Sequence, residues 1–519
     1  MSKTLLLLLG LCVGASGHTQ KGHKITFNLS VADSIASNHQ SEGRLFLFIS
    51  QNLQAPPMYL IYPGMQNNVM ARNFTDFSAE GMTIKKAAGW TVTEDWTFEN
   101  VPAGEYLVQA LWDQNLWQSG IRDDGNSYSK PVKVTINGKK SVDLTLENVF
   151  KTPDVQHELL EVITIPSQLL SDFWKKPMEV KASVLLPNNY EKGKMYPIRY
   201  HVAGYGGRYA RVARLLNDEK FMSWWTSEEA PEIINVFLDG YGPYGDCYQM
   251  DSENSGPYGQ SLIEEQIPFI EEMFRGTVTA ENRFVDGCST GGYVSLGLQL
   301  FYPDEFAGCF SYSPDAVDFR NFQLINVYED TNAFVSQHGY EIPMRRSVNG
   351  EPIWSMREFI KYENIQSPTN VYTQSSGQFS AFMALYSPKG EDGLPAPLFH
   401  PTTGSMDTTL RDSWRRFDYL DYAQKNWKEL GPKVEGKIFV SVSDMDDFYL
   451  SYAMRQFYEY LETTTSPKSD AEIEFLPYTG HCRQYSHKIV LKQIEEKMNG
   501  KYFRPSEPTF SFSILAMNS

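Results

Sequence analysis

A strand that runs through a glycine-rich turn into a helix constrains this chain more than any other feature. Residues 283–286 (RFVD) have the composition of a strand, and the segment 287–292 (GCSTGG) leads directly into an apolar helix predicted at 293–301. A sharp turn of the G-x-S-x-G type needs glycines because flanking β-carbons would clash, and it lifts the serine hydroxyl above the sheet. The context favours Ser289 as a nucleophile over an ordinary tight turn.

The chain around this turn alternates strands with helices from about Lys151 onward. Short apolar strands are predicted at 184–186, 198–203, 233–238, 307–312, 437–442 and 473–476. Between them, apolar residues recur at helical spacing over 261–274 with glutamates outside that face. This alternation predicts a mostly parallel sheet covered by helices on both faces, the α/β class.

Residues 18–150 show a different pattern, with the period of two that is typical of half-buried strands. The segments 132–136 and 142–146 flank Asn137-Gly138, which predicts a hairpin. We therefore expect a separate antiparallel β-sandwich domain. Its tryptophans, such as Trp112 and Trp117, could bind sugar, but core packing is the favoured interpretation.

The two ends of the chain and one long connection complete the predicted organisation. Residues 1–17 read as a secretory signal peptide, with Lys3, an apolar run and small residues at the cleavage site. Residues 151–500 are expected to form the catalytic domain and 501–519 a C-terminal tail. The stretch from about 315 to 433 is too long for a simple connection and predicts an inserted lid. We expect a secreted or periplasmic protein without membrane insertion.

The charge balance limits the partners of the chain. Lysine and arginine number 46 against 63 acidic residues, a net charge of -17. Such a surface repels a phosphate backbone, so nucleic acid is not an expected partner. The sequence carries no prediction of oligomeric state.

A second glycine-rich turn follows the predicted strand 198–203. The segment 204–207 (GYGG) could aim backbone N–H groups at a carbonyl oxygen. The N–H of Tyr205, or that of Gly206, would form an oxyanion hole together with the N–H of Thr290. A phosphate-binding loop is disfavoured because neither G-x-G-x-x-G nor G-K-[ST] follows.

Candidate acids and bases follow the last two predicted strands. Asp444, Asp446 and Asp447 come after 437–442, and Asp446 is the favoured acid, with Asp315 ranked below it. His481 follows the strand 473–476, whereas His487 begins a helix and reads as a surface residue. The order Ser289, Asp446, His481 is that expected of an α/β-hydrolase fold.

A zinc site is the alternative interpretation of His481, Cys482 and His487. No H-E-x-x-H, C-x-x-C or carboxylate set at ligand spacing supports it. We expect no metal and no cofactor.

Several of these segments together resemble the putative-esterase family, which includes esterase D, feruloyl esterases and siderophore esterases. The resemblance covers about 162–498 and rests on 204–207, on 251–259 before the helix, on 287–292, on Asp446-Asp447-Phe448 and on Gly480-His481. It implies Ser289 as nucleophile, Asp446 as orienting acid and His481 as general base. The small members of the family lack an N-terminal sandwich and so long an insertion, so the substrate pocket does not carry over.

The cysteines have a narrower resemblance. Cys12 leaves with the signal, and Cys247, Cys288, Cys309 and Cys482 allow three pairings. The segment 287–292 together with His481-Cys482 is similar to tannase and fungal feruloyl esterases, whose cysteines flanking the catalytic serine and histidine are bonded. We accordingly expect a Cys288–Cys482 disulfide, since each adjoins a residue that the mechanism brings together, with Cys247 and Cys309 free.

These expectations describe a secreted carboxylic ester hydrolase that works through an acyl-enzyme on a small-molecule or carbohydrate-linked ester. Two alternatives stay open: a non-catalytic binding protein on a hydrolase scaffold, and an acyltransferase with the same three residues.

Overall fold

The computed structural model describes residues 22–274 and 279–500, so the predicted signal peptide at 1–17 and the tail at 501–519 lie outside the described residues. The described chain forms two compact units. The first comprises 22–61, 65–111 and 128–148, and the second contains the rest, including 62–64 and 112–127. No described helix is both long and apolar enough to cross a membrane.

The first unit is built on one hydrogen-bonded sheet of nine strands. Alternate residues of its first and last strands are buried, as the period of two predicted. The strands are Ile25–Val31, Gly43–Ser50, Asn67–Phe74, Met82–Ile84, Thr91–Val92, Gly104–Asp113, Ser127–Ser129, Val132–Ile136 and Lys140–Val149, with one short helix at Asp33–Ala36.

Two pairing predictions for this sheet are wrong. Ile25–Val31 runs parallel to Lys140–Val149, so the sheet is not purely antiparallel. The predicted hairpin at Asn137-Gly138 does not pair its own two strands, because Val132–Ile136 pairs with Gly104–Asp113 instead. Both strands that flank the turn therefore pair with strands elsewhere in the sheet.

The second unit contains an eight-stranded mixed sheet, which confirms the α/β class. Its first two strands run antiparallel to their neighbours, and the other strands are parallel. In sheet order the strands are Leu160–Ser167, Met178–Leu185, Ile234–Leu238, Ile198–Val202, Arg283–Cys288, Gly308–Tyr312, Ile438–Ser443 and Glu472–Leu476. The carboxyl ends of the parallel strands therefore share one edge, where the candidate residues follow.

Helices connect these strands. They are Gln168–Trp174, Val212–Leu216, Glu219–Trp225, Tyr258–Ser261, Ile267–Phe274, Thr290–Phe301, Met356–Gln366, Gln378–Tyr386, Arg411–Trp414, Tyr419–Val434, Ser451–Thr463 and His487–Met498. The helix predicted over 261–274 is interrupted by a π-helical turn at Leu262–Gln266. Pro268 is the second residue of the helix Ile267–Phe274. It has no N–H to donate to the preceding turn, as a regular α-helix would require, and this accounts for the local irregularity.

The inserted stretch between Gly308–Tyr312 and Ile438–Ser443 contains a cluster of buried aromatic side chains. Its aromatic rings pack against one another at centroid distances of 4.8 to 6.4 Å, with Phe319, Phe322, Phe379, Phe382, Tyr386 and Trp414 at the centre. Most of these contacts are edge-to-face, and such packing stabilises a fixed arrangement. The stretch also carries a small hairpin, Pro343–Arg346 with Pro352–Ser355.

Candidate active site

Ser289 lies at a strained turn between the strand Arg283–Cys288 and the helix Thr290–Phe301. Its backbone has φ 62° and ψ -126°, a region that side chains rarely adopt. A β-carbon on Gly291 would lie 2.0 Å from the carbonyl oxygen of Val202, and one on Gly287 would lie 2.4 Å from the same oxygen. The neighbouring strand therefore requires both glycines of the motif.

Ser289 and His481 line the same cavity, which has a volume of about 880 Å³. Tyr205, Phe448 and Gln378 also line it. Ser289 Oγ makes no hydrogen bond to any residue in 22–274 or 279–500, and therefore none to His481. Bonds of this kind often form only with substrate bound.

The candidate acid, Asp446, and the candidate base, His481, are hydrogen-bonded to each other. Asp446 Oδ2 lies 2.7 Å from His481 Nδ1, and the Asp446 side chain is fully buried. Its other oxygen, Oδ1, accepts from the amides of Phe448 at 2.9 Å and Leu450 at 3.5 Å. Burial lowers the pKa of His481, but the charge of Asp446 and this hydrogen bond outweigh burial and raise it above its ordinary value.

The two alternative acids are engaged elsewhere. Asp444 pairs with Arg455 at the protein surface. Asp315 is buried and accepts from the Tyr248 hydroxyl at 2.8 Å, from Thr290 Oγ1 at 3.1 Å and from Gln378 Nε2 at 3.4 Å. Burial raises the pKa of Asp315 to about 6. Neither carboxylate bonds to His481.

The glycine-rich loop after Ile198–Val202 lies against the turn that carries Ser289. A β-carbon on Gly204 would be 3.1 Å from the carbonyl oxygen of Cys288 and 3.5 Å from Ser289 Cβ. The Tyr205 hydroxyl donates to the carbonyl oxygen of Ser376, which fixes the loop. The amides of Tyr205 and Thr290 donate to no acceptor in the described part of the chain, so both remain available to a ligand.

A disulfide joins the two segments that carry Ser289 and His481. Cys288 and Cys482 are bonded, with their Cα atoms 6.0 Å apart. The bond removes Cys482 from any zinc-binding set. Cys247 and Cys309 are buried thiols without a disulfide.

The interpretation of His487 as a surface helix residue is wrong. His487 lines the cavity, and its Nδ1 lies 3.1 Å from the buried Arg199. Arg199 in turn forms an ion pair with Asp286 at 2.7 Å, and the Tyr485 hydroxyl donates to the same carboxylate. Burial and the Arg199 charge lower the pKa of His487, so it stays neutral below the site. The first residue of the helix thus contacts side chains of the central strand Ile198–Val202, which helical periodicity could not show.

Two residues of the inserted stretch, Arg345 and Arg346, bind the loop 444–447 that carries Asp446. Neither was predicted from the sequence as part of the site. Arg346 donates to the carbonyl oxygens of Asp446 at 2.9 Å and Asp444 at 3.0 Å. Asp447 accepts from the His481 amide at 3.1 Å and pairs with Arg345 at 3.1 Å. The sequence shows these two adjacent arginines, but it does not show their partners, which lie about 100 residues away in the chain.

Comparison with known proteins gives a match for most of the second unit. The model of a family described as putative esterase matches residues 176–488. Two curated esterases of Mycobacterium tuberculosis are each 29% identical over 175 residues, which is 33% of this chain and 36% of theirs. The chain thus matches about a third of the length of these relatives.

Solved structures also align with about two thirds of the chain. A ferulic acid esterase is 17% identical over 66% of this chain and 99% of its own, with a TM-score of 0.37. An S-formylglutathione hydrolase from Agrobacterium tumefaciens is 12% identical over 66% of this chain and 94% of its own, also with a TM-score of 0.37.

Proposed function

Since the chain belongs to the putative esterase family, as its motifs predicted, we propose that it hydrolyses carboxylic esters with Ser289 as nucleophile, His481 as general base and Asp446 as orienting acid. One observation carries this proposal: the buried Asp446–His481 pair opens onto the cavity that Ser289 lines. A neutral histidine held by a carboxylate is the base that a serine hydroxyl needs.

The reaction proceeds in two halves. Ser289 Oγ attacks the ester carbonyl carbon while its proton passes to His481 Nε2, and Asp446 stabilises the resulting imidazolium. The amides of Tyr205 and Thr290 donate to the oxyanion. The alcohol leaves with the proton from His481. Water, deprotonated by His481, then attacks the acyl-enzyme, and His481 returns the proton to Ser289 Oγ as the carboxylic acid leaves. These steps need no cofactor.

The setting of the domain belongs to the same proposal. Residues 1–17 would direct export, and an oxidising compartment would preserve the Cys288–Cys482 bond that ties the base loop to the nucleophile turn. The stretch 315–433 would form a lid, since Gln378 lines the cavity and Arg346 holds the acid loop. Residues 18–150 would be an accessory β-sandwich domain.

The test is a panel of p-nitrophenyl acetate, longer p-nitrophenyl esters and methyl ferulate. The wild type should release the free acid from at least one of these esters, and Ser289→Ala should not. Ser486→Ala is the matched control because Ser486 lines the same cavity and its side chain caps nothing. Turnover that survives in Ser289→Ala would refute the mechanism. Transfer of the acyl group to an added alcohol in place of water would identify an acyltransferase.

A further inference from the structure

The cavity at Ser289 has a positively charged rim although the whole chain carries a net charge of -17. Four cations line one part of this cavity: Arg211, Arg214, Lys220 and Lys488. We call these four residues the cationic rim. Three of them come from the segment 211–220, and Lys488 is the second residue of the helix His487–Met498. The described lining of this cavity therefore holds more cationic than acidic side chains.

The cationic rim has no ion-pair partner among the described residues. In the described residues no carboxylate lies within ion-pair distance of any of its four members. A fifth cation of the cavity, Arg208, differs because Asp239 neutralises it at 2.7 Å. The described lining holds one acid, Asp218, whose carboxylate accepts from the amides of Lys220 and Phe221 and forms no ion pair with the rim.

The remaining contacts of the rim leave its charges available. Arg211 donates to the carbonyl oxygen of Gly204 at 3.3 Å, which places its guanidinium beside the loop that carries Tyr205. Lys488 Nζ lies 4.9 Å from the centre of the Trp224 ring. Burial and the neighbouring Arg214 charge lower the pKa of Arg211, as expected where like charges are held together. Folding gathers these cations without pairing them.

We propose that the ester substrate carries an anionic group, such as a carboxylate, phosphate or sulfate, which binds to the cationic rim while its carbonyl lies at Ser289. This proposal rests on the proposed ester hydrolysis. Guanidinium and ammonium groups are the usual donors to such anions, and their charge also steers an anionic substrate into the cavity. The rim thus gives this site a substrate class that the Ser289, His481 and Asp446 geometry does not define.

The test compares matched neutral and anionic esters. On the acyl side the pair is p-nitrophenyl butyrate and p-nitrophenyl hemisuccinate, and on the alcohol side it is methyl 4-acetoxybenzoate and 4-acetoxybenzoate. The readout is the ratio of kcat/KM for the anionic ester to that for the neutral one. At least one pair should give a ratio above one, and added salt should lower it because salt screens exposed charges.

Variants of the rim locate the effect. Arg214→Gln and Lys220→Gln should each lower the ratio about threefold, and the double variant about tenfold, as for partly exposed charge pairs. Lys492→Gln is the matched control because Lys492 is exposed on the helix of Lys488 but does not line the cavity. It should keep the wild-type ratio. A double variant with the wild-type ratio for both pairs would overturn the proposal.

A binding measurement separates this proposal from the proposed function. Affinities of the same esters are measured on the Ser289→Ala protein with and without the rim substitutions. Loss of anionic-ester binding in the rim variants supports the anion site even if the wild type hydrolyses none of the esters. Ser289-dependent hydrolysis with equal binding of both esters would overturn the anion site and leave ester hydrolysis standing.

Discussion

Replacing Asp446 by asparagine should inactivate the site through the tautomer of His481. Asp446 Oδ1 accepts from the amides of Phe448 and Leu450, so the asparagine carbonyl oxygen must take that side. Its NH2 group then faces His481 Nδ1 across 2.7 Å and makes Nδ1 an acceptor. The ring proton moves to Nε2, which can no longer take the proton of Ser289.

The size of this effect follows from the two contributions lost. The wrong tautomer and the missing carboxylate together should lower kcat by about a thousandfold to ten-thousandfold. This corresponds to about 4 to 5.5 kcal/mol of transition-state stabilisation. KM should change little, because Asp446 is buried behind the histidine and does not line the cavity.

The assay is steady-state hydrolysis of the best ester of the panel, with kcat and KM determined separately. Asp444→Asn is the matched control, because Asp444 precedes Asp446 by two residues and pairs with Arg455 at the surface. It should retain wild-type kcat. An Asp446→Asn enzyme with kcat within tenfold of the wild type would refute the reasoning, as would an equal loss in Asp444→Asn.

Three further predictions concern pH, the disulfide and the insertion. His481 must be neutral to act as a base, and its pKa is raised. We therefore expect kcat/KM to rise with pH, with a midpoint above the ordinary histidine pKa of about 6.5. A midpoint below that value would contradict the assignment of His481. Joint replacement of Cys288 and Cys482 by alanine, which opens a loop of 194 residues, should cost about 4–5 kcal/mol in denaturant unfolding, and unchanged stability would contradict this. Arg346→Gln should lower kcat about tenfold with little change in KM, since it frees the carbonyl of Asp446; a change in KM alone would contradict a positioning role.

Local sequence patterns predicted the parts of the structure that local chemistry determines. The turn at Ser289 was predictable because the motif shows its glycines in the sequence. Only glycines fit beside the Val202 carbonyl oxygen. The strands leading to Asp446 and His481 were predictable from their apolar runs and their order. The approach of the two side chains to 2.7 Å followed from parallel strands that end at one edge.

Features that depend on distant partners were not predictable from the chain. The segment around Asn137-Gly138 has the residues of a hairpin turn, yet its two flanking strands pair with Gly104–Asp113 and Ile25–Val31 instead of with each other. The Arg346 clamp and the cationic rim join segments separated by about 100 residues or more. Pairing of this kind is set by the packing of the insertion and the helices, which no local periodicity reports.

The central claim is an acyl-enzyme at Ser289, and trapping it is the most direct measurement. The protein is mixed with p-nitrophenyl acetate, quenched in acid during turnover, and analysed by intact mass and peptide mapping. The mechanism predicts one acetyl group, located on Ser289 and absent from Ser289→Ala. Turnover with an unmodified Ser289 peptide, or acetylation of another residue in step with turnover, would contradict it.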